Sequence, residues 1–196
     1  MSMPVIEKHR WTIDEVEGLI DAREGLTPRY ELVDGELLVT PGPSGRHQRI
    51  VGELHIVLHE YVQRHKLGEV RLGPGEVRLV PQNYFEPDLF VIPAVNGKRP
   101  RSDDPVTRLL LAVEVLSTGS IRHDRITKRR FFQKHGVPDY WVVDGAAEAF
   151  EVWRPGDERA ALLDERLVWQ PEMATEPFVL DVKHFFADVA DDPSDL

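Results

Sequence analysis

With 196 residues and no cysteine, the chain is long enough for one buried core, while disulfides and thiolate metal sites are excluded. A net charge of -10 argues against a surface coated in basic groups for unspecific nucleic-acid binding, and leaves room only for a local basic patch. The opening MSMPVIEKHRW has no signal-peptide core and no later stretch reaches the ~20 apolar residues of a membrane span, so a soluble, cytoplasmic protein is expected.

Thr12 and Glu15 form the T-x-x-E capping box of a first helix, from about residue 13 to 23, that Gly25 stops. YELVDGELLV, residues 30–39, reads as a hairpin turning at Asp34-Gly35. From Ser44 to about Lys66, Ile50, Leu54, Val57, Leu58 and Tyr61 make one stripe of a long helix, with His47 on the same stripe. EVRL near residue 70, GEVRLV at 75–80 and DLFVI at 88–92 read as adjacent antiparallel strands punctuated by Gly73-Pro74-Gly75 and Pro81.

Residues 93–107 lack a periodic apolar signal and are expected to form a mobile polar loop. RLLLAVEVLS then reads as a central strand covered on both faces, and YWVVD at 140–144 as its parallel neighbour after an intervening helix. AFEVWR, ERLVWQ and FVLDV read as further strands, followed by a short helix near HFFADV and the acidic tail DDPSDL. The expected architecture is a single α/β domain over residues 1–196, a mixed central sheet flanked by helices.

Helical steps from Asp124 place Lys128, Phe131 and Phe132 on one face, expected to be buried. Arg122, Arg125, Arg129, Arg130 and Lys134 fall on the opposite side, a basic stripe open to solvent or to phosphate. Asp124 and Lys128 can also satisfy each other as a plain i,i+4 pair. Glu114 demands more, because an ionised carboxylate among Leu110, Leu111, Val113, Val115 and Leu116 needs a cation or strong donors. Asp88, after Pro87, brings a second carboxylate from a neighbouring strand, and two carboxylates with water and a substrate phosphate are what a Mg2+ or Mn2+ site offers. Such a site suits phosphodiester hydrolysis, with a lysine orienting water or balancing developing charge.

These segments, in the order YELVDGELLV, HQRIVGELHIVL, PDLFVI, LAVEVLS, DRITKRRFFQKHGVPDYWVVD and FEVWR, resemble the PD-(D/E)XK nuclease superfamily and within it the Uma2 family, also called DUF820. The resemblance covers about residues 28–155 and implies a restriction-endonuclease-like core. It implies that Asp88 and Glu114 hold the metal, and that a relocated lysine, Lys128, replaces the one expected two residues after Glu114, where Leu116 stands. Pro138-Asp139 repeats the Pro-Asp pair but follows Glu114, so Asp139 reads as a turn or strand-edge residue, as does Asp144 at the end of YWVVD.

Superfamily sites often take a further acidic residue from the long helix, which makes Glu53 a catalytic candidate beside Asp88, Glu114 and Lys128. His47 and Asp124 are candidates for contacts to the substrate or around the metal, with Glu31 and Glu36 as weaker alternatives. The resemblance implies an endonuclease acting on DNA with Mg2+ or Mn2+, working by analogy as a homodimer, with Arg122, Arg125, Arg129 and Lys134 on backbone phosphates. The competing expectation is a nuclease fold without turnover, a nucleic-acid-binding or protein-interaction module, which Leu116 and the acidic charge favour. A smaller phosphodiester substrate would use the same chemistry.

Overall fold

A computed structural model describes residues 9–190; the first eight residues and the acidic tail DDPSDL lie outside the described residues. The capping box at Thr12 opens helix α1 (Ile13–Asp21). Strands β1 (Arg29–Val33) and β2 (Glu36–Thr40) then form an antiparallel hairpin. Asp34 and Gly35 sit at φ 47° and 82°, the two left-handed positions that a tight hairpin turn requires and that Asp-Gly supplies at little cost. Ser44 caps the 20-residue helix α2 (Gly45–Arg64), its hydroxyl accepting the His47 N–H.

The central sheet has six strands in the order β3-β4-β5-β6-β7-β8. They are β3 (Gly68–Leu72), β4 (Leu89–Pro93), β5 (Leu111–Val115), β6 (Asp139–Asp144), β7 (Ala149–Trp153) and β8 (Ala161–Leu163). β5 and β6 run parallel and all other neighbours are antiparallel, so the sheet is mixed. The crossover between β5 and β6 carries a π-helical turn, His123–Lys128, running into helix α3 (Arg129–Lys134). A separate two-stranded sheet of β9 (Arg166–Trp169) and β10 (Phe178–Asp181) leads into α4 (Val182–Asp188). No helix among the described residues is long and apolar enough to cross a membrane.

Alternation along β4 and β5 divides the apolar side chains between two cores. Leu89, Val91, Leu111, Val113 and Val115 pack with Ile50, Leu54 and Leu58 of α2. Phe90 and Ala112 pack instead with Phe131, Phe132 and Tyr140, and with Val33 and Leu38 of the hairpin. Each fully buried Phe contributes roughly 1.5–3 kcal/mol, enough to press the π-helical turn and the hairpin against this side of the sheet.

Two expectations need correction. GEVRLV does not form a strand: Val77 makes only an isolated bridge with Phe85, because Pro74 and Pro81 flank the segment and cannot donate to a ladder. The sequence periodicity also assumed a regular α-helix around Asp124, whereas the first turn is π-helical, a wider winding that still points both Asp124 and Lys128 inward.

Candidate active site

The carboxylates come together because strand register and a helical turn direct them to one place. Extending the antiparallel register that pairs Leu89 with Val113 sets Asp88 across from Glu114, and directly opposed residues project to the same side. In β1, Glu31 pairs with the buried Leu38 and is itself fully buried. The π-helical turn adds Asp124 and Lys128. Glu31, Glu114, Asp124 and Lys128 are each at most 2% exposed.

Lys128 is the centre of the group. Its Nζ lies 2.7 Å from Glu31 Oε2, 2.9 Å from Glu114 Oε1 and 3.3 Å from Asp124 Oδ1. The other Glu31 oxygen accepts the Glu86 N–H at 2.9 Å, and the Tyr140 hydroxyl donates to the Asp124 carbonyl, which fixes that turn. Burial pulls the Lys128 ammonium toward neutrality, but the three carboxylates hold its pKa well above the ordinary value. Lys128 is therefore a fixed cation and not a proton acceptor at neutral pH.

Asp88 is held by a different set. Arg29 Nη1 donates to Oδ1 at 2.8 Å, while His47 Nε2 and the Val115 N–H each donate to Oδ2 at 2.9 Å. Burial raises the Asp88 pKa, yet the His47 hydrogen bond, the Arg29 charge and the Val115 N–H outweigh it and lower the value to about 2. Glu114 goes the other way: burial raises its pKa well above the usual range against the pull of Lys128, with Asp124, Asp88 and Glu31 adding to the rise. Burial likewise raises Asp124.

Four buried carboxylates, Glu31, Asp88, Glu114 and Asp124, face two permanent cations, Arg29 and Lys128, so full ionisation of the cluster would leave two more negative charges than positive before His47 is counted, a surplus that the raised pKa values of Glu114 and Asp124 oppose. A divalent cation with a preference for hard oxygen donors fits both that surplus and that donor set, with Asp88 and Glu114 as the residues that would hold it. Among the described residues no group of three or more His, Asp or Glu side chains is already placed to hold a metal ion. The convergence point of Glu31, Glu114 and Asp124 is taken by Lys128.

Two clefts reach this region. The larger, about 500 Å3, has Asp88, Arg29 and His47 at its base. The smaller, about 330 Å3, lies between the start of α2, the end of β5 and the turn after β6, and includes Arg46, Ser117, Thr118 and Asp144. His47 lines both, and its Nδ1 is buried with no hydrogen-bond partner.

Several expected site residues are placed elsewhere. Glu53 is exposed on α2, because two steps of three residues each fall about 60° short of a full turn and rotate it away from buried His47. Arg125 pairs with Asp144 at 2.8 Å and Glu151 at 2.5 Å. Arg129 donates to the Arg125 carbonyl and Gln133 and covers the Trp153 ring at 4.5 Å. Of the basic stripe, Arg122, Arg130 and Lys134 are the exposed members, with Lys134 Nζ 3.6 Å from Asp34. Asp139 is tied to Arg154 and the Trp169 indole, and Asp144 caps the turn at Ala146 and Ala147.

Arg29 is not among the residues expected at the site, and Glu31 is expected there only as a weaker alternative. Glu31 had a signal: in a hairpin turning at Asp34-Gly35 it must pair with Leu38, an inward position occupied by a carboxylate. Arg29 had none, since its partner lies 59 residues away.

A family model named Uma2, described as "Putative restriction endonuclease", matches residues 14–183. The fold is similar to the crystal structure of "a putative nuclease belonging to DUF820" from Anabaena variabilis ATCC 29413, with a TM-score of 0.73 and 22% identity, covering 92% of this chain and 99% of that one. An uncharacterized protein, sll1609, of Synechocystis sp. is 26% identical over 151 residues, which are 74% of this chain and 83% of that protein.

Proposed function

The chain belongs to the Uma2 family, and from that premise we propose that it is a metal-dependent endonuclease that hydrolyses DNA phosphodiester bonds, with Mg2+ or Mn2+ held by Asp88 and Glu114. Family and fold point to a nuclease. The observation that carries the finer reading is Lys128, sent back from the helix after β5 to within 2.9 Å of Glu114, beside a carboxylate cluster with surplus negative charge. A metal bound there would supply an acidified water and positive charge for the phosphate. The chain's own residues do the rest of the positioning: Arg29, His47 and the Val115 N–H keep Asp88 ionised and oriented, and Lys128 keeps a permanent positive charge beside Glu114.

The test is cleavage of plasmid and oligonucleotide DNA by purified protein in Mg2+ and Mn2+, alongside Asp88→Asn. Metal-dependent cutting that the variant loses, with its fold intact, is the expected result. A folded parent protein that cuts no DNA in either metal overturns the reading. One observation favours a second reading, a nuclease fold kept as a non-catalytic module: the carboxylates that converge on Lys128 are already paired and almost fully buried. Under it, DNA or protein binds without turnover.

A further inference from the structure

The larger cleft includes the proposed catalytic carboxylate, Asp88, in its lining, while the rest of its wall offers a phosphate few partners. Above a polar base of Asp88, Arg29 and His47, it is lined by Leu26, Pro43, Val51, Leu72 and Pro74, with the amide of Gln48 among them. No lysine lines it, and its one arginine, Arg29, is already committed to Asp88 and to the Glu86 carbonyl. Leu26 and Leu72 are 65% and 42% exposed, apolar side chains left in water around an open concavity. A volume of about 500 Å3 lies within the range of cavities that bury a small planar ligand.

We infer that this cleft is a nucleobase subsite, which seats one unstacked base of a single strand while the adjoining phosphate lies over Asp88. The inference rests on the nuclease reading and names its substrate class. A nucleobase has two flat apolar faces that this lining, with the His47 ring among it, can take out of water, and an edge of donors and acceptors that an amide such as Gln48 can meet. A base paired within a duplex cannot enter; extracting it costs a few kcal/mol, a cost that a single strand does not bear.

Charge agrees with shape. Duplex affinity comes largely from cations that neutralise phosphates and release counterions. Here the net charge is -10, and Arg125 and Arg129 of the basic stripe are engaged within the chain. A single strand can add base burial to the phosphate contacts that the exposed Arg122, Arg130 and Lys134 offer, whereas a duplex has only those contacts.

Gly52 provides the test. It lines the cleft from within α2, and a Cβ built there meets no atom within 4 Å, so Gly52→Leu can fill the space without displacing backbone. The full-length protein and this variant are compared for binding of a single-stranded oligonucleotide, its duplex and a single strand carrying abasic positions, by fluorescence anisotropy, and for cleavage of each in Mn2+. The parent should prefer the single strand over the duplex, and Gly52→Leu should weaken single-strand binding about tenfold. Both proteins should bind the abasic strand equally and keep the same Mn2+-induced rise in Tm. A variant that binds and cuts the natural strand as well as the parent overturns the subsite alone. A parent that neither binds nor cuts any nucleic acid overturns the nuclease reading along with it.

Discussion

Lys128 Nζ lies 2.9 Å from Glu114 Oε1, so the π-helical turn returns a cation to the strand that the chain left 14 residues earlier. This ammonium is also within 3.3 Å of Asp124 and 2.7 Å of Glu31, and its removal would leave three buried carboxylates without their shared partner. Lys128→Met should therefore destabilise the protein by about 3–5 kcal/mol at pH 8. The loss should shrink at pH 5, where Glu114 and Asp124, both raised by burial, can take up protons, and in millimolar Mn2+, which can replace the missing charge. Urea unfolding at the two pH values, with and without the ion, measures all three; a loss independent of both conditions would show that Lys128 acts by packing alone.

Most of this arrangement could be read from the chain because each part rests on a local pattern. Asp-Gly fixes the hairpin, the apolar stripe fixes α2, and the unbroken run around Glu114 marks a strand covered on both faces. Glu114 and Lys128 stand out because each is a charge on an apolar strand or helix face, and Asp88 because it follows Pro87 at the start of a neighbouring strand. What stayed hidden depends on distant partners: the bond from Arg29 to Asp88, and the neutralisation of Arg125 by Asp144 and Glu151 on the next two strands. At 75–80 the β-forming residues were legible, but not that pairing beside Pro74 and Pro81 would stop at the single bridge from Val77 to Phe85.

The pH dependence of stability follows from opposite shifts at neighbouring carboxylates. The Glu114 pKa is raised above its ordinary 4.5, so the folded state binds more protons than the unfolded state above that pH, and stability falls as pH rises through the raised pKa. The Asp88 pKa is lowered from 3.8 to about 2, so its contribution is complete above pH 3.8 and is lost as pH falls toward 2. Without metal, the joint contribution of these two carboxylates to stability should be greatest between the limbs, at about pH 4–5. Glu114→Gln should flatten the alkaline limb and lose the Mn2+-induced rise in Tm. Chemical denaturation across pH checks the limb; an unchanged slope in the variant would assign it to other groups.

The basic stripe divides into two kinds of residue. Arg125 is 35% exposed and bridges Asp144 and Glu151, so Arg125→Ala should cost about 1 kcal/mol after solvent screening. It should leave nucleic-acid affinity and its salt dependence unchanged. Joint replacement of the exposed Arg122, Arg130 and Lys134 by glutamine should do the reverse, weakening binding and reducing its salt slope while the unfolding midpoint stays put. Titration of a labelled strand at several salt concentrations separates the two; equal effects from both variants would contradict the division.

Glu31 and Glu53 exchange ranks: the acidic residue expected from the long helix is exposed, and the weaker candidate of the hairpin is buried against Lys128. Glu53 is exposed on α2, so Glu53→Gln should change stability by less than about 0.5 kcal/mol and leave cleavage intact. Glu31 lies 2.7 Å from Lys128 Nζ and receives the Glu86 N–H, which makes it a positioning residue for the lysine. In Glu31→Gln the side-chain carbonyl can keep the backbone hydrogen bond but not the charge, so fold and substrate affinity should persist while the cleavage rate falls roughly 10- to 100-fold. Single-turnover cleavage compared with binding of the same oligonucleotide resolves rate from affinity. A Glu31→Gln protein that cuts at the parental rate would show that Lys128 needs only Glu114 and Asp124 to hold its place, and would leave the buried carboxylate of β1 as a structural partner of Glu86.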